Sequence, residues 1–364
     1  MGTERATPDA ITPGPIAFFG SGETSASGRR VYDWLFRRLS QPIRVSVLET
    51  PAGFQPNSAL VAGKVGDFLR RHLQNHQPAV DVVPARRRET PFSTENEGII
   101  SPVVSANMIF LGPGSPTYAV RHLHNSLAWH TVLACHRQGA TLVLASSAAI
   151  AVGARALPVY EIYKVGEDLH WREGLNLLGP YGLSVVFVSH WNNTEGGPEL
   201  DTSRCYMGRA RFHHLLKLLP PDINVVGVDE HTAMILDPAG ESCRVMGRGA
   251  VTLLRRGQEE RFAPGQTFAI TELGPFRNTE PQSGIPAQVW ERVRDARHMA
   301  ADVLTPQPPQ EVLSLVEERE KARARADWAA SDSLREQVTV SGWRVEDTPD
   351  GPKLTPLSRQ DVIG

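Results

Sequence analysis

Residues 141–151, TLVLASSAAIA, decide how this chain folds. The apolar run at 141–144 predicts a buried strand, and the small residues after it predict a tight turn into a helix. Working outward from this stretch, further apolar runs alternate with helical stretches, at 16–19, 44–48, 80–83, 108–111, 184–188 and 225–228. This alternation predicts an α/β fold, a mostly parallel sheet with helices on both faces.

The composition excludes several classes of protein. The 364 residues include 38 Lys and Arg against 40 Asp and Glu, so a globally basic nucleic-acid-binding surface is not expected. No apolar run approaches the roughly 20 residues of a membrane span, which favours a cytoplasmic location without membrane contact. The three cysteines lie far apart, and no histidine pair has a carboxylate or cysteine at a familiar spacing, so we predict no metal site and no cofactor.

Four segments are predicted along the chain. Residues 1–14 form a flexible start, and residues 15–273 form the α/β domain. From Thr232 onward this domain reads as short β-hairpins that cap one sheet edge and could support a homodimer. Residues 274–309 are a helix followed by a Pro-rich linker, and residues 310–358 are a small helical tail.

Two adjacent serines follow the strand at 141–144, and one of them is a candidate nucleophile. A strand-to-helix elbow needs small residues two positions before and two positions after the nucleophile. Ser147 has Ala145 and Ala149 there, whereas Ser146 has the bulky Leu144 two positions before it. We therefore predict Ser147 as the nucleophile. The alternative is that both serines only cap a helix.

An oxyanion-binding pair is predicted beside that serine. The backbone N–H of Ala148 would lie at a helix N-terminus, where it can point at the oxygen of a tetrahedral intermediate. The backbone of Gly114, in the glycine-rich loop after the strand at 108–111, is the second candidate donor.

A histidine and an acid follow two later strands. His190 comes after the apolar run at 184–188, and Glu230 comes after the run at 225–228. The carboxyl ends of parallel strands meet at one edge of a sheet, so we expect Ser147, His190 and Glu230 to follow three strands of one sheet and form a triad. The alternatives are a surface or capping role for the histidine and a simple turn at the acid.

Five segments together resemble the serine peptidase family of dipeptidase E and cyanophycinase: FFGSGE, FLGPGSPTYAVRHL, ASSAAIA, VSHW and GVDEHTAMIL. The resemblance covers residues 15–272 and implies a class I glutamine amidotransferase-like, flavodoxin-like fold. It also implies that Ser147 is the nucleophile, His190 the base and Glu230 the third member of a triad.

The same resemblance implies the rest of the site. Gly114 and Ala148 would form the oxyanion hole, and Arg209 and Arg211 in MGRARF would hold substrate carboxylates. The implied activity is cleavage of a small, possibly aspartyl, peptide through an acyl-enzyme. For the two arginines the alternative is that they are solvated helix residues.

The tail carries a second resemblance. Residues 315–354, with the pattern R..AR...DW..SD.LR and the closing DTPDG, resemble the C-terminal helical piece of cysteinyl-tRNA synthetases. This implies a contact with tRNA or with a protein partner, and it supports the alternative function of a non-catalytic binding module. From the residues themselves, Trp328, Leu334 and Val338 predict an apolar stripe, and the mixed charges around Arg319 predict a solvated face.

Overall fold

The computed structural model describes residues 12–304, 308–348 and 351–357, and the chain divides into two units between Arg297 and His298. The division lies inside the segment 274–309 that was predicted to separate the tail. Residues 1–11 of the predicted flexible start and residues 305–307 of the predicted linker lie outside the described residues. No described helix is both long and apolar enough to cross a membrane.

The first unit contains fourteen strands among its described residues. In chain order they are β1 (Ile16–Phe19), β2 (Arg44–Leu48), β3 (Ala79–Val83), β4 (Met108–Leu111), β5 (Thr141–Ala145), β6 (Arg155–Ala156), β7 (Arg172–Glu173), β8 (Val185–Val188), β9 (Asn224–Val228), β10 (Thr232–Asp237), β11 (Ser242–Gly247), β12 (Val251–Arg255), β13 (Gln258–Phe262) and β14 (Thr267–Ala269).

Seven of the α-helices in the described residues begin in the connections between these strands, and an eighth follows β14. They are α1 (Ala26–Phe36), α2 (Ser58–His72), α3 (Glu97–Val104), α4 (Pro116–Leu123), α5 (Leu127–Arg137), α6 (Ser147–Ala151), α7 (Gly208–Lys217) and α8 (Ala287–Leu304). Four of them begin at a polar cap whose side chain accepts a backbone N–H, namely Ser25, Asn96, Ser115 and Ser126.

The central sheet has eight strands in the order β14-β11-β10-β1-β5-β4-β2-β3. The five strands from β1 to β3 in this order are parallel, and β10, β11 and β14 add antiparallel strands at one edge, as the hairpin prediction expected. Both faces are buried. Along β5, Leu142 and Leu144 pack with α3 and α5, while Val143 and Ala145 pack with α1 and α2. Helices therefore cover both faces of the sheet.

A second sheet corrects the prediction that all three strand ends belong to one sheet. Strands β8 and β9 pair with each other in parallel, but β9 pairs on its other side with β12, which gives the four-stranded order β13-β12-β9-β8. The two sheets pack through Phe18 and Phe187, whose rings stack at 4.0 Å. The outer strand β13 is largely exposed, and a homodimer through it stays a prediction.

One glycine lets the ends of the two sheets approach. Gly20 follows β1, its N–H donates to the carbonyl of Thr232, and its carbonyl accepts from the N–H of His190. A Cβ at this position would overlap the carbonyl of Asp229, so no larger residue fits. The strand ends that carry His190 and Glu230 therefore reach the carboxyl end of β5.

The second unit contains more than the predicted helix pair. Helices α9 (Gln310–Ala324) and α10 (Trp328–Val340) are followed by a hairpin of β15 (Trp343–Thr348) and β16 (Gly351–Pro356). Its small core is formed by Val312, Val316, Val338, Trp343 and Val345. The predicted apolar stripe is wrong at Trp328, which is 60% exposed.

Candidate active site

Ser146 lies on the sharp turn between β5 and α6. Its backbone has φ 53° and ψ −111°, a region that a residue with a Cβ rarely adopts. The turn is held because the N–H of Ser146 donates to the carbonyl of Phe19 at 3.0 Å. A strained strand-to-helix turn of this kind presents the serine hydroxyl at the carboxyl end of the sheet.

The structure corrects the prediction of Ser147. Ser147 is the first residue of α6, its side chain is buried, and its hydroxyl donates to the carbonyl of Gly112 at 3.2 Å. Ser146 Oγ instead lies 2.9 Å from His190 Nε2. The bulk of Leu144 does not prevent this, because its side chain packs into the core on one face of the sheet and leaves the turn free.

His190 connects the serine to an acid. It follows β8 with φ 51°, and its Nδ1 lies 2.8 Å from Glu230 Oε1. The backbone carbonyl of His190 accepts from the N–H of Cys205, and its N–H donates to Gly20. The imidazole is therefore held between the hydroxyl and the carboxylate, with one ring nitrogen toward each.

Glu230 follows β9 and is held at both its side chain and its backbone. Oε1 also accepts a hydrogen bond from Asn193 Nδ2 at 3.0 Å, and the N–H of Glu230 donates to Asn192 Oδ1 at 2.7 Å. The hydrogen bond to His190 holds the pKa of the carboxyl below its ordinary value, although partial burial acts in the opposite direction. A carboxylate in this state can stabilise an imidazolium at neutral pH.

The position of Ser146 bears on the predicted oxyanion donors as well. In an elbow of this kind the donor belongs to the residue after the nucleophile, so a nucleophile at Ser146 would use the N–H of Ser147 in place of that of Ala148. The first N–H groups of a helix have no partner within the helix, and α6 begins at Ser147. Gly114 stays in the loop before α4 with φ 155°, where a Cβ would overlap the carbonyl of Pro51. That close approach fixes the loop.

The two arginines predicted to hold substrate carboxylates have different surroundings. Arg211 uses its Nε and Nη2 to donate to the carbonyls of Met207 and Tyr206, both at 2.7 Å. Arg209 is exposed and lines a cavity of about 510 Å³ with Asp201, Glu259 and Arg261. Ser146, His190 and Glu230 are not among the residues that line this cavity. Arg209 and Arg211 are therefore not arranged to bind one carboxylate together.

Sequence reasoning missed several groups around the histidine. The ring of Tyr206 lies 6.2 Å from that of His190, and the ring of Tyr163 lies 5.2 Å from that of Tyr206. Glu23, in the loop after β1, interacts electrostatically with His190 and His231, and burial raises the pKa of its carboxyl. Glu23 was visible in the sequence as the end of FFGSGE, but nothing in that string indicates that it faces a histidine.

The cysteines are not alternative nucleophiles. Cys135, Cys205 and Cys243 are all buried and unpaired, and burial raises the pKa of Cys135 to about 11 and of Cys205 to about 12. A thiol in this state is not a thiolate at neutral pH. Within the described ranges, no cluster of three His, Cys, Asp or Glu side chains is arranged to bind a metal ion.

Comparison with known proteins gives one likeness for each unit. No family model matches the chain. Its fold resembles that of a peptidase from an acI-B1 actinobacterium with a TM-score of 0.57 and 19% identity, over 71% of this chain and 98% of that one. A putative peptidase E from Listeria monocytogenes EGD-e aligns less closely, with a TM-score of 0.41 and 12% identity over 69% of this chain and 99% of that one.

Curated sequences match a different and shorter part. Cysteine–tRNA ligase 1 of Burkholderia lata is 47% identical over 62 residues, which are 17% of this chain and 12% of the ligase. The chain therefore spans only about an eighth of that relative's length. The chain combines an α/β unit that has the fold of a peptidase with a tail similar to part of a cysteine–tRNA ligase.

Proposed function

We propose that the first unit is a serine-type peptidase, or a closely related hydrolase, in which Ser146 is the nucleophile. The observation that carries this proposal is the continuous contact from Ser146 Oγ through His190 to Glu230 Oε1, at 2.9 and 2.8 Å, beside a strained elbow. The shared fold with a peptidase supports the same class of reaction.

The reaction would proceed in two halves. His190 Nε2 takes the proton of Ser146 as Oγ attacks the carbonyl carbon, and Glu230 stabilises the imidazolium that forms. The negative oxygen accepts hydrogen bonds from the N–H groups of Ser147 and Gly114. The tetrahedral intermediate then breaks its C–N bond, and His190 returns the proton to the leaving amine.

The second half restores the enzyme. Water loses a proton to His190 and attacks the ester carbonyl of Ser146, and collapse of the new intermediate releases the carboxylic acid and returns the proton to Oγ. We propose a small peptide as the substrate. An acidic peptide stays a prediction, because Arg211 donates to the carbonyls of Met207 and Tyr206 and Arg209 lines a cavity that the triad residues do not line.

Covalent labelling tests this proposal. The purified chain is treated with a fluorophosphonate probe, and the modified peptide is identified by mass spectrometry. A single adduct on Ser146 is the expected result. An adduct on Ser147, or no adduct on protein shown to be folded by circular dichroism, would contradict the proposal.

A second candidate function concerns the tail. Its likeness to a cysteine–tRNA ligase favours a contact with tRNA, and the exposed Trp328 offers a ring on which a base can stack, with the Arg323 guanidinium 6.0 Å away. A gel shift with a tRNA-Cys transcript should be weakened by Trp328→Ala. The exposed Leu313→Ala is the matched control, and a shift that is unaffected by Trp328→Ala would reject the tail as the contact.

A further inference from the structure

The segment between β8 and α7 contributes to the triad at a position outside the three side chains. Asn193 is 1% exposed, and its Nδ2 donates to Glu230 Oε1 at 3.0 Å, the same oxygen that contacts His190. We propose that Asn193 is a positioning residue, which fixes the rotamer of Glu230 so that its carboxylate meets His190. This inference rests on the proposed function of Ser146, His190 and Glu230.

The orientation of the Asn193 amide follows from its other contact. Its Oδ1 accepts the backbone N–H of Glu195 at 3.2 Å. Because a backbone N–H can only donate, the oxygen of the amide must face it, and the NH₂ group must face the carboxylate. The side chain thus presents a donor to Glu230 and is prevented from turning over.

The segment that carries Asn193 is itself held at its far end. Arg204, Cys205 and Tyr206 have φ of 59°, 58° and 67°, which makes one left-handed turn. In that turn the N–H of Arg204 donates to Trp191 and the N–H of Cys205 donates to His190. Strain of this kind persists only where the surroundings hold it, so the segment is fixed against the end of β8.

The charged and titratable groups near Glu230 do not duplicate the role of Asn193. His190 and His231 favour the carboxylate, whereas Cys205 and Tyr206 also interact with it. Burial raises the pKa of both Cys205 and Tyr206, so these two groups are neutral around Glu230 at neutral pH. Glu23 interacts with the two histidines on the side of β1. Asn193 is the uncharged donor that contacts Oε1.

The test uses two variants that introduce the same charge at adjacent positions. Asn193→Asp keeps the shape and the acceptor for Glu195, but it replaces the donor to Glu230 by an acceptor. Thr194→Asp adds the same charge one residue away, on an exposed side chain. We expect the rate of fluorophosphonate labelling to fall at least about tenfold in Asn193→Asp and no more than about twofold in Thr194→Asp.

Two further readouts separate positioning from stability. The acid limb of the labelling rate, which reports protonation of the base His190, should move to higher pH in Asn193→Asp, because an added carboxylate beside the pair favours the imidazolium. The low-field proton signal of the hydrogen bond between His190 and Glu230, assigned with Glu230→Gln, should shift or disappear in Asn193→Asp and stay in Thr194→Asp.

The outcomes distinguish this inference from the proposed function. Equal losses in the two variants, or an unchanged acid limb and proton signal in Asn193→Asp, would overturn the role of Asn193. If the wild-type chain is not labelled at all, the proposed function fails, and the proton signal alone then decides whether Asn193 positions Glu230.

Discussion

Each unit of the chain contains a contact between a basic and an acidic side chain that are far apart in sequence. In the second unit, Arg319 is buried and its Nη1 and Nη2 each lie 2.9 Å from a different oxygen of Asp347, with Glu320 as a further partner. In the first unit, His190 contacts Glu230 through one nitrogen and leaves the other for Ser146. Arg319 directs both of its terminal nitrogens to Asp347, so this contact serves stability. His190 directs only Nδ1 to Glu230, which leaves Nε2 in a position to accept the proton of Ser146.

The largest expected effect separates the two adjacent serines. Ser146→Ala should lower fluorophosphonate labelling by at least about 10³-fold, because it removes the hydroxyl that contacts His190. Ser147→Ala should retain labelling within about threefold, since it loses only a hydrogen bond to Gly112 and keeps its backbone N–H. Labelling that survives in Ser146→Ala and is lost in Ser147→Ala would reverse the assignment.

The second expected effect concerns the acid of the triad. Glu230→Gln keeps the size of the side chain but removes the charge that stabilises the imidazolium, so labelling should fall about 10³-fold. Glu199→Gln is the control, because Glu199 is an exposed glutamate in the segment between β8 and α7. Should both variants label at the wild-type rate, Glu230 has no part in the reaction.

A third change acts on the second unit. Arg319→Met leaves Asp347 without its bidentate partner and should lower the free energy of unfolding of this unit by about 2 kcal/mol, less than for a fully buried pair because Asp347 is 43% exposed. Hydrogen exchange of the α9 and α10 amides measures it. Lys321→Met, which breaks only the exposed pair with Glu317, is the control. Labelling of Ser146 should not change in either variant.

The smallest effect is a pH dependence of the same unit. The hydrogen bond from Arg319 holds the pKa of Asp347 below its ordinary value. A carboxyl with a lowered pKa stabilises the fold above the pKa it has when unfolded, and this stabilisation is lost as the pH falls through the folded value. The protection factors of the α9 amides, which are corrected for the intrinsic pH dependence of exchange, should therefore fall below about pH 4. In Asp347→Asn this part of the pH dependence should be absent.

Much of the fold follows from local patterns. The buried strands are continuous apolar runs with helices between them, and that pattern predicts a parallel sheet with two covered faces. His190 and Glu230 were identifiable because each directly follows such a run. The small hairpin of β15 and β16 was missed, because its strands carry only a few apolar residues and look like a polar terminus.

Other features depend on contacts that no local pattern contains. The choice between Ser146 and Ser147 depends on which residue occupies the turn and which begins α6. A helix boundary can shift by one residue without any change in the sequence pattern that predicts the helix. The second sheet depends on the pairing of β9 with β12, and the contact of Asn193 with Glu230 depends on the path of the segment between β8 and α7. In the sequence, Arg319 is one of several cations in a helix of mixed charge. Its contact with Asp347 exists only because the chain returns in β15.

The backbone of Ser146 has a consequence for how this chain can evolve. A non-glycine residue at φ 53° and ψ −111° costs about 1–3 kcal/mol of stability, and glycine would relieve much of that cost. A descendant that no longer needed the hydroxyl would gain stability by replacing Ser146 with glycine. We therefore expect this substitution to be among the first in inactive descendants. Under the proposed function, a serine that stays in this conformation is kept for its hydroxyl, because backbone strain alone would favour glycine there.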